Sequence, residues 1–301
     1  MKGRFNIPGV SKTSKSIGAL LFITVVWGTT FPMQKAILGS LNPFLYNALR
    51  FAVASVVAVI FFKPRENQWK SGAILGIFLG LAYATQMLGL KLTTSTKSGF
   101  ITSLYIILVP LFSLLIEQTK PTLLQTISFL LSVPGLYLLN DPSSSPFTLG
   151  DFFTVICAFS FAVHVVMITK LSANFHETSL LLPQLLVTSA INFVLIPFGG
   201  SSRFTFEAVF VMVYTAVMAT VIVIWLQLKH QKVVGSNVSA LIYVGEPVFA
   251  TIASVIALGE KVSLPQLFGM FVLVASLLSL IHISEPTRLL SISYAVFCLK
   301  K

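Results

Sequence analysis

Ten apolar runs account for most of the chain: residues 17–38, 44–62, 71–90, 98–116, 122–139, 150–169, 178–197, 206–228, 233–257 and 264–281. Each is close to the roughly 20 residues that carry a helix across hydrocarbon. Lipid gives a backbone no hydrogen-bond partner, so such segments must satisfy themselves as helices. The expected fold is therefore an all-α integral membrane protein with ten transmembrane helices. Of 301 residues, 55% are hydrophobic and 10% charged, which leaves little chain for a soluble domain.

The formal charge of +11 would suit nucleic acid, but the basic residues are scattered among short loops and form no single polar face. That distribution argues against nucleic acid as a partner and for orientation in a lipid bilayer. The side holding the N-terminus collects Lys2, Arg4, Lys12, Lys15, Lys63, Arg65, Lys70, Lys120, Lys170, Lys229 and Lys232, against Lys35, Lys91, Lys97, Arg203 and Lys261 on the other. The richer side is expected to be cytoplasmic, with both termini there and the chain in the cell (inner) membrane. The basic first fifteen residues and the apolar run after them carry no small-x-small cleavage site, which reads as an uncleaved first span. Cys157 and Cys298 have no paired spacing, so neither a disulfide framework nor a zinc site is indicated; no cofactor and no metal are expected.

A polar linker from Asn140 to Pro146 divides the spans five and five. If the halves are copies, an odd number of spans in each turns one upside down relative to the other. At an offset of 137, Leu104, Pro110 and Phe112 meet Leu241, Pro247 and Phe249, so interrupted spans fall at matching places, a pointer to a transport site near the bilayer midplane. The expected divisions are a tail at 1–16, a first five-helix repeat at 17–139, a linker at 140–149, a second repeat at 150–281 and a tail at 282–301.

The ninth run, Ser236 to Glu260, carries Gly245, Glu246 and Pro247 midway. A carboxylate in hydrocarbon costs about 2.5–3.5 kcal/mol on insertion scales, and proline removes a backbone donor. Of nine acidic residues only Glu246 is placed deep in a span. It is the first candidate for binding a cationic group or carrying a proton; the alternative is a structural carboxylate tied to Arg50 or to the broken helix. Arg50 and Asn47 share a face of the second span, and Arg50 either pairs with Glu246, holds a substrate carboxylate, snorkels outward or bonds helix-end carbonyls. Trp27, Thr30 or Phe31, and Gln34 share a face of the first span. Gly72, Gly76, Gly80 and Ala84 form a packing stripe on the third, with Tyr83 and Gln86 off it. Tyr105 and Pro110 mark the fourth, where Pro110 is expected to kink the helix by freeing the Ile106 carbonyl. His164 sits mid-membrane in the sixth, either functional or bonded to neighbouring backbone. Gln184 and Asn192 read as interhelical hydrogen bonds, and Trp225 with Gln227 as interfacial anchors. Pro110 and Pro247 are the hinge candidates; Arg50, Tyr83, Gln86, Tyr105, His164 and Glu246 are the candidates for substrate binding or coupling.

Trp27-Gly28, Arg50, Gly150-Asp151, Glu246-Pro247-Val248 and Leu258-Gly259-Glu260, taken in order, resemble the EamA-type branch of the drug/metabolite transporter superfamily over residues 17–280. The resemblance implies ten helices in two inverted five-helix repeats, and efflux or exchange of small metabolites such as amino acids through a central cavity. Two departures stand out. In the second half Gly-Glu follows Pro247 about thirteen residues on, whereas Pro110 is followed by Glu117 after seven, and Gln125 matches Gln266 at an offset of 141; about four residues are missing after Pro110. Residues 282–301, HISEPTRLLSISYAVFCLKK, look like translated sequencing-adaptor read-through, so the native sequence is expected to differ after about Leu280; the alternative is a short amphipathic helix.

The function expected on these grounds is a secondary transporter moving a small-molecule substrate by alternating access, with protons as a candidate coupling ion. An intramembrane enzyme would want an activated nucleophile or a metal pair, and the sequence holds no HExxH, no GxSxG and no second deep carboxylate. A channel or passive scaffold is the remaining competitor.

Overall fold

The computed structural model describes residues 12–140, 146–259 and 261–284. Residues 141–145 of the linker, Glu260 of the Gly-Glu motif, residues 1–11 and residues 285–301 of the tail lie outside the described residues. The spans are α1 (Lys12–Leu38), α2 (Pro43–Phe61), α3 (Trp69–Leu92), then α4 (Ser95–Ser103) and α5 (Tyr105–Phe112) with a π-helical turn Ser113–Glu117, and α6 (Leu123–Asn140). The second half holds α7 (Leu149–Ser172), α8 (Glu177–Leu195), α9 (Phe206–Ala216) and α10 (Val223–Val234) joined by a π-helical turn Val217–Ile222, α11 (Ser236–Tyr243) with α12 (Gly245–Leu258), and α13 (Leu264–Ser284). Nine of these segments are long and apolar enough to cross a membrane, and α13 adds a shorter apolar stretch, Leu264–Leu278.

Local chemistry sets the ends. The Asn42 carboxamide accepts from the backbone N–H groups of Phe44 and Leu45 and Pro43 takes the first helical position, the combination expected at a helix start. Thr148 and Asp151 form a reciprocal capping box on α7. Thr122 and Gln125 exchange the same pair of bonds at the start of α6, and Ser263 and Gln266 exchange them at the start of α13. Both broken spans stop at a left-handed residue, Gln118 (φ 59°) in one half and Gly259 (φ 66°) in the other. These pairs share the 141 offset, while the prolines upstream keep 137. The four-residue shortfall is thus one helical turn lost between Pro110 and Gln118, where the chain winds through its π turn.

The kink expected at Pro110 is displaced. The second half breaks at Val244, directly after Tyr243, the residue four before Pro247, as loss of the proline donor requires. The first half breaks at Leu104, before Ile106, and Pro110 lies inside α5. Leu104 to Gln118 spans fourteen residues and Val244 to Gly259 fifteen, so moving the break upstream keeps the half-helices of the two repeats nearly equal in reach.

The packing follows an inverted two-fold pattern. Helix α3 packs on α7 and α8, and α10 with its π turn packs correspondingly on α1 and α2; α1 meets α12 as α7 meets α5, while α2 packs on α8 and α6 on α13, each helix against its own counterpart. The expected glycine stripe seats α8 on α3: a methyl added at Gly76 would lie 2.7 Å from Val187 Cβ and 2.8 Å from the Gln184 carbonyl oxygen. Gly76→Val is expected to cost about 1–3 kcal/mol by overpacking, read as a lower unfolding midpoint in detergent. Gly18→Val, where nothing lies within 4 Å, is the matched control and does not lower the midpoint.

We call the side bearing the start of α1 and the α2–α3, α5–α6, α7–α8 and α10–α11 connections the N-terminal face, and the other side the distal face.

Candidate functional site

The π turn in the eighth span shifts its backbone pairing and offers the Ala219 carbonyl to neighbouring helices, an arrangement common at functional sites. Hydrocarbon cannot satisfy such a group, and two side chains converge on the turn. Trp27 Nε1 donates to the Ala219 oxygen at 3.3 Å, Arg50 Nη2 points to the same oxygen at 3.5 Å, and Arg50 Nε donates to Thr220 Oγ1 at 2.7 Å. Thr220 in turn donates to the Thr215 carbonyl at 2.8 Å, and Thr215 bonds the Tyr46 hydroxyl at 2.8 Å. Arg50 is 1% exposed, with its guanidinium 4.7 Å from the centre of the Tyr83 ring and 5.4 Å from that of Phe51, a geometry that stabilises a desolvated cation. Its Nη1 has no hydrogen-bond partner.

Those contacts decide among the readings open for Arg50. It bonds the backbone of an irregular turn; among the described residues it forms no ion pair with Glu246. One edge of the guanidinium is structural; Nη1 is buried without a hydrogen-bond partner, in a residue that borders the cavity described below.

Glu246 stands in the first turn of α12, where the exposed N–H ends of a half-helix favour negative charge. Helix α1 lies directly against this turn: a methyl on Gly28 would be 2.8 Å from Phe249 Cβ and 3.0 Å from the Glu246 carbonyl oxygen. Among the described residues the Glu246 carboxylate has no hydrogen bond or ion pair.

Arg50, Tyr83, Gln86, Tyr105, His164 and Glu246 all border one cavity at the centre of the bundle, together with Trp27, Thr30, Phe31 and Gln34 of α1. Its walls are aromatic: Tyr83 and Phe161 meet edge to face at 5.2 Å, Tyr105 and Phe161 lie at 6.0 Å, and Trp27 meets Tyr243 at 5.3 Å. The Tyr105 hydroxyl is buried without a partner. His164 Nε2 lies 3.3 Å from Gln184 Oε1, so the histidine bonds a side chain of α8 and no backbone group. Asn47 Nδ2 donates to the Tyr83 carbonyl at 2.9 Å and to Asn192 Oδ1 at 3.1 Å, which gives Asn192 the interhelical role read from its position. Of the hinge candidates, Pro247 borders the vestibule described next, and Pro110 touches neither space.

The central cavity holds about 40 Å³, room for a few water molecules and too little for a metabolite. On the distal side it adjoins a vestibule of about 430 Å³, and Phe31, Thr102 and Glu246 border both. A basin of about 680 Å³ opens on the N-terminal face and shares no lining residue with the cavity. Between them Gln231 ties three helices together: Nε2 donates to the Val165 carbonyl at 2.5 Å and to Thr169 Oγ1 at 2.7 Å, while Oε1 accepts from Gln227 Nε2 at 3.0 Å and the Tyr243 hydroxyl at 3.4 Å. The cavity thus borders the distal vestibule, and the Gln231 cluster lies between it and the basin on the N-terminal face.

Gln227 is a correction. Read as an interfacial anchor, it is 1% exposed and lines the cavity floor; Trp225, its expected companion, stacks with Phe62 and takes Lys229 over its ring. Gln231, Thr102 and Phe161 were not singled out from sequence. Gln227 and Gln231 lie four apart on one helical face, and that repeat was the available signal, hidden because the eighth run was ended at 228 although α10 continues to Val234.

Nine membrane-length apolar helices and the shorter apolar stretch of α13, packed in two inverted halves around an aromatic-walled cavity, define a multi-pass membrane protein. The EamA-like transporter family profile matches the chain twice, over residues 14–141 and 148–281, and the chain belongs to that family. An uncharacterized transporter of Archaeoglobus fulgidus is 33% identical over 276 residues, covering 90% of this chain and 86% of the relative. A second from the same organism is 28% identical over 271 residues, 82% of this chain and 91% of the relative. The uncharacterized transporter YoaV of Bacillus subtilis is 23% identical over 273 residues, 83% and 91%. A crystal structure superposes with a TM-score of 0.74 across 91% of this chain and 99% of its own; at 18% identity that likeness concerns the fold.

Proposed function

We propose that this EamA-family transporter moves a small zwitterionic metabolite of the amino-acid type across the cell membrane by alternating access, with Glu246 as the site of proton coupling. One observation carries the reading: an unpartnered carboxylate and a guanidinium with a free Nη1 border the same aromatic-walled cavity. A ligand amino group suits Glu246, a ligand carboxylate suits Arg50 Nη1, and the rings of Tyr83, Tyr105 and Phe161 suit an apolar side chain. Because the cavity at about 40 Å³ cannot hold such a ligand, loading requires Phe31, Thr102 and Glu246 to move apart and join it to the vestibule.

The orientation proposed is cytoplasmic for the N-terminal face. Three of the five basic residues assigned to the distal side are engaged by the protein itself: Lys35 Nζ caps the Leu90 and Thr93 carbonyls, Lys91 Nζ reaches those of Leu41 and Gly199, and Lys97 Nζ bonds the Pro146 carbonyl and pairs with Asp151. Setting them aside together with the likewise engaged Lys170, Lys229 and Lys232 of the N-terminal side leaves the charge bias toward the N-terminal face.

Purified protein in proteoliposomes, assayed with amino acids, nucleosides and small organic cations with and without a proton gradient, tests the substrate class. Saturable uptake of amino acids, mutually competitive and responsive to the gradient, is expected. Flux rising linearly with concentration would instead mark a channel.

A further inference from the structure

The inverted symmetry that relates α4 and α5 to α11 and α12 sets the end of one repeat's broken span beside the start of the other's. At the N-terminal face the end of the fourth span touches the start of the ninth. On the distal face α4 packs against α12, and Gly99 and Ser103 line the vestibule with Thr251 and Ser254. Glu117 stands at the N-terminal contact. Its Oε2 accepts from Ser236 Oγ at 2.5 Å and from Ser113 Oγ at 3.1 Å, and Asn237 Nδ2 donates to the same Ser113 hydroxyl at 3.3 Å. Ser236 and Asn237 are the first two residues of α11, whose N–H ends also favour a carboxylate. Lys170 Nζ adds a bond from α7 to the Ile116 carbonyl at 3.0 Å.

We infer that Glu117 is the latch of the N-terminal gate, a carboxylate at the end of one repeat that holds the first turn of the other repeat's broken helix and must release it for the cavity to open to that face. The inference rests on the alternating-access reading above and gives it a specific moving contact. Glu117 is suited to this role by chemistry. A hydroxyl bonded to a carboxylate is roughly twice as strong as a neutral pair, yet release strands no ion in the dry core, because Glu117 already lines the open basin. The Gln231 cluster lies one layer deeper and closes the cavity floor; the Glu117 contact closes the rim.

The test reads access, so it needs no known substrate. In a background carrying Cys157→Ala and Cys298→Ser, Val165→Cys places a reporter on the cavity wall above the floor. Its reaction with a small, charged, membrane-impermeant methanethiosulfonate is followed from each face in right-side-out and inverted vesicles, which also decides the orientation. Glu117→Gln is expected to raise the rate from the N-terminal face about tenfold, the scale of losing a charge-assisted bond, and Ser236→Ala, which keeps the carboxylate, is expected to do the same. Ser239→Ala removes a hydroxyl that bonds its own helix at the Gly235 carbonyl and leaves the rate unchanged. Equal rates in the parent, Glu117→Gln and Ser236→Ala overturn the latch. That failure would leave saturable transport standing, whereas linear flux would sink the transporter reading without altering the labelling result.

Discussion

Glu246→Gln is expected to lower transport about tenfold or more while leaving helical content and gel-filtration behaviour unchanged. The carboxylate borders both the cavity and the vestibule and has no partner among the described residues, so the amide takes nothing from the folded structure. What it removes is charge at the place where an ammonium group or a proton would sit. A hydrogen bond to a charged group is worth about 1.5–3 kcal/mol, which corresponds to roughly 10- to 150-fold at 1.4 kcal/mol per decade. The two roles proposed for Glu246 separate in one variant. If the carboxylate carries the coupling proton, the amide loses gradient-driven accumulation but keeps exchange of substrate for substrate. If it binds the ligand, both fall together and the KM for exchange rises. Wild-type rates in both assays would remove Glu246 from the mechanism.

Glu246 was legible because the chemistry that makes it useful also makes it conspicuous. A carboxylate with a proline beside it has no ordinary reason to occupy a long apolar run, and the same logic found His164, Tyr105 and Arg50. Each is a polar atom in a segment where polarity is costly. Spans were legible for a related reason, since hydrocarbon leaves a backbone few options. Less legible was anything set by backbone geometry. The π turn at Val217–Ile222 occurs in an unremarkable apolar string, yet it creates the carbonyl that recruits Trp27 and Arg50 and thereby sets how much of the guanidinium remains for a ligand. The break at Leu104 was likewise hidden: proline marks where a donor is missing, but the length of the half-helix below it decided where the chain bends. Glu117, at a span end, is hidden for the same reason: beside the local Ser113 its partner is Ser236 of the other repeat, 119 residues away, and no local pattern joins them.

Asp151→Asn is expected to destabilise the protein by about 3–5 kcal/mol, the range for removing one member of a buried ion pair. Asp151 is fully buried, and each oxygen is committed: Oδ2 pairs with Lys97 Nζ at 2.8 Å and accepts from the Thr148 backbone N–H at 2.7 Å, and Oδ1 accepts from Thr93 Oγ1 at 2.7 Å. An amide is nearly the same size and can turn its NH₂ to the Thr93 hydroxyl, which can accept, but the Lys97 ammonium loses the negative charge held 2.8 Å from it. The bonds join the end of α3, the first turn of α4 and the start of α7, so the loss loosens the distal end of three helices at once. Lys97→Met removes the other member and leaves Asp151 its bonds to Thr93 and Thr148, so its cost is smaller. The double variant Lys97→Met with Asp151→Asn is expected to cost less than the two singles added, the signature of direct coupling. Unfolding midpoints in detergent measure all three, and a single Asp151→Asn variant within about 1 kcal/mol of wild type would show the pair to be dispensable. The residue lies outside the lining of the central cavity and of the vestibule, so whatever transport is lost should follow the fall in folded protein, with an unchanged KM in the fraction that remains. That separation explains how Gly150-Asp151 can be part of a family resemblance without lining the cavity: it ties the end of α3 and the start of α7 to the first turn of α4.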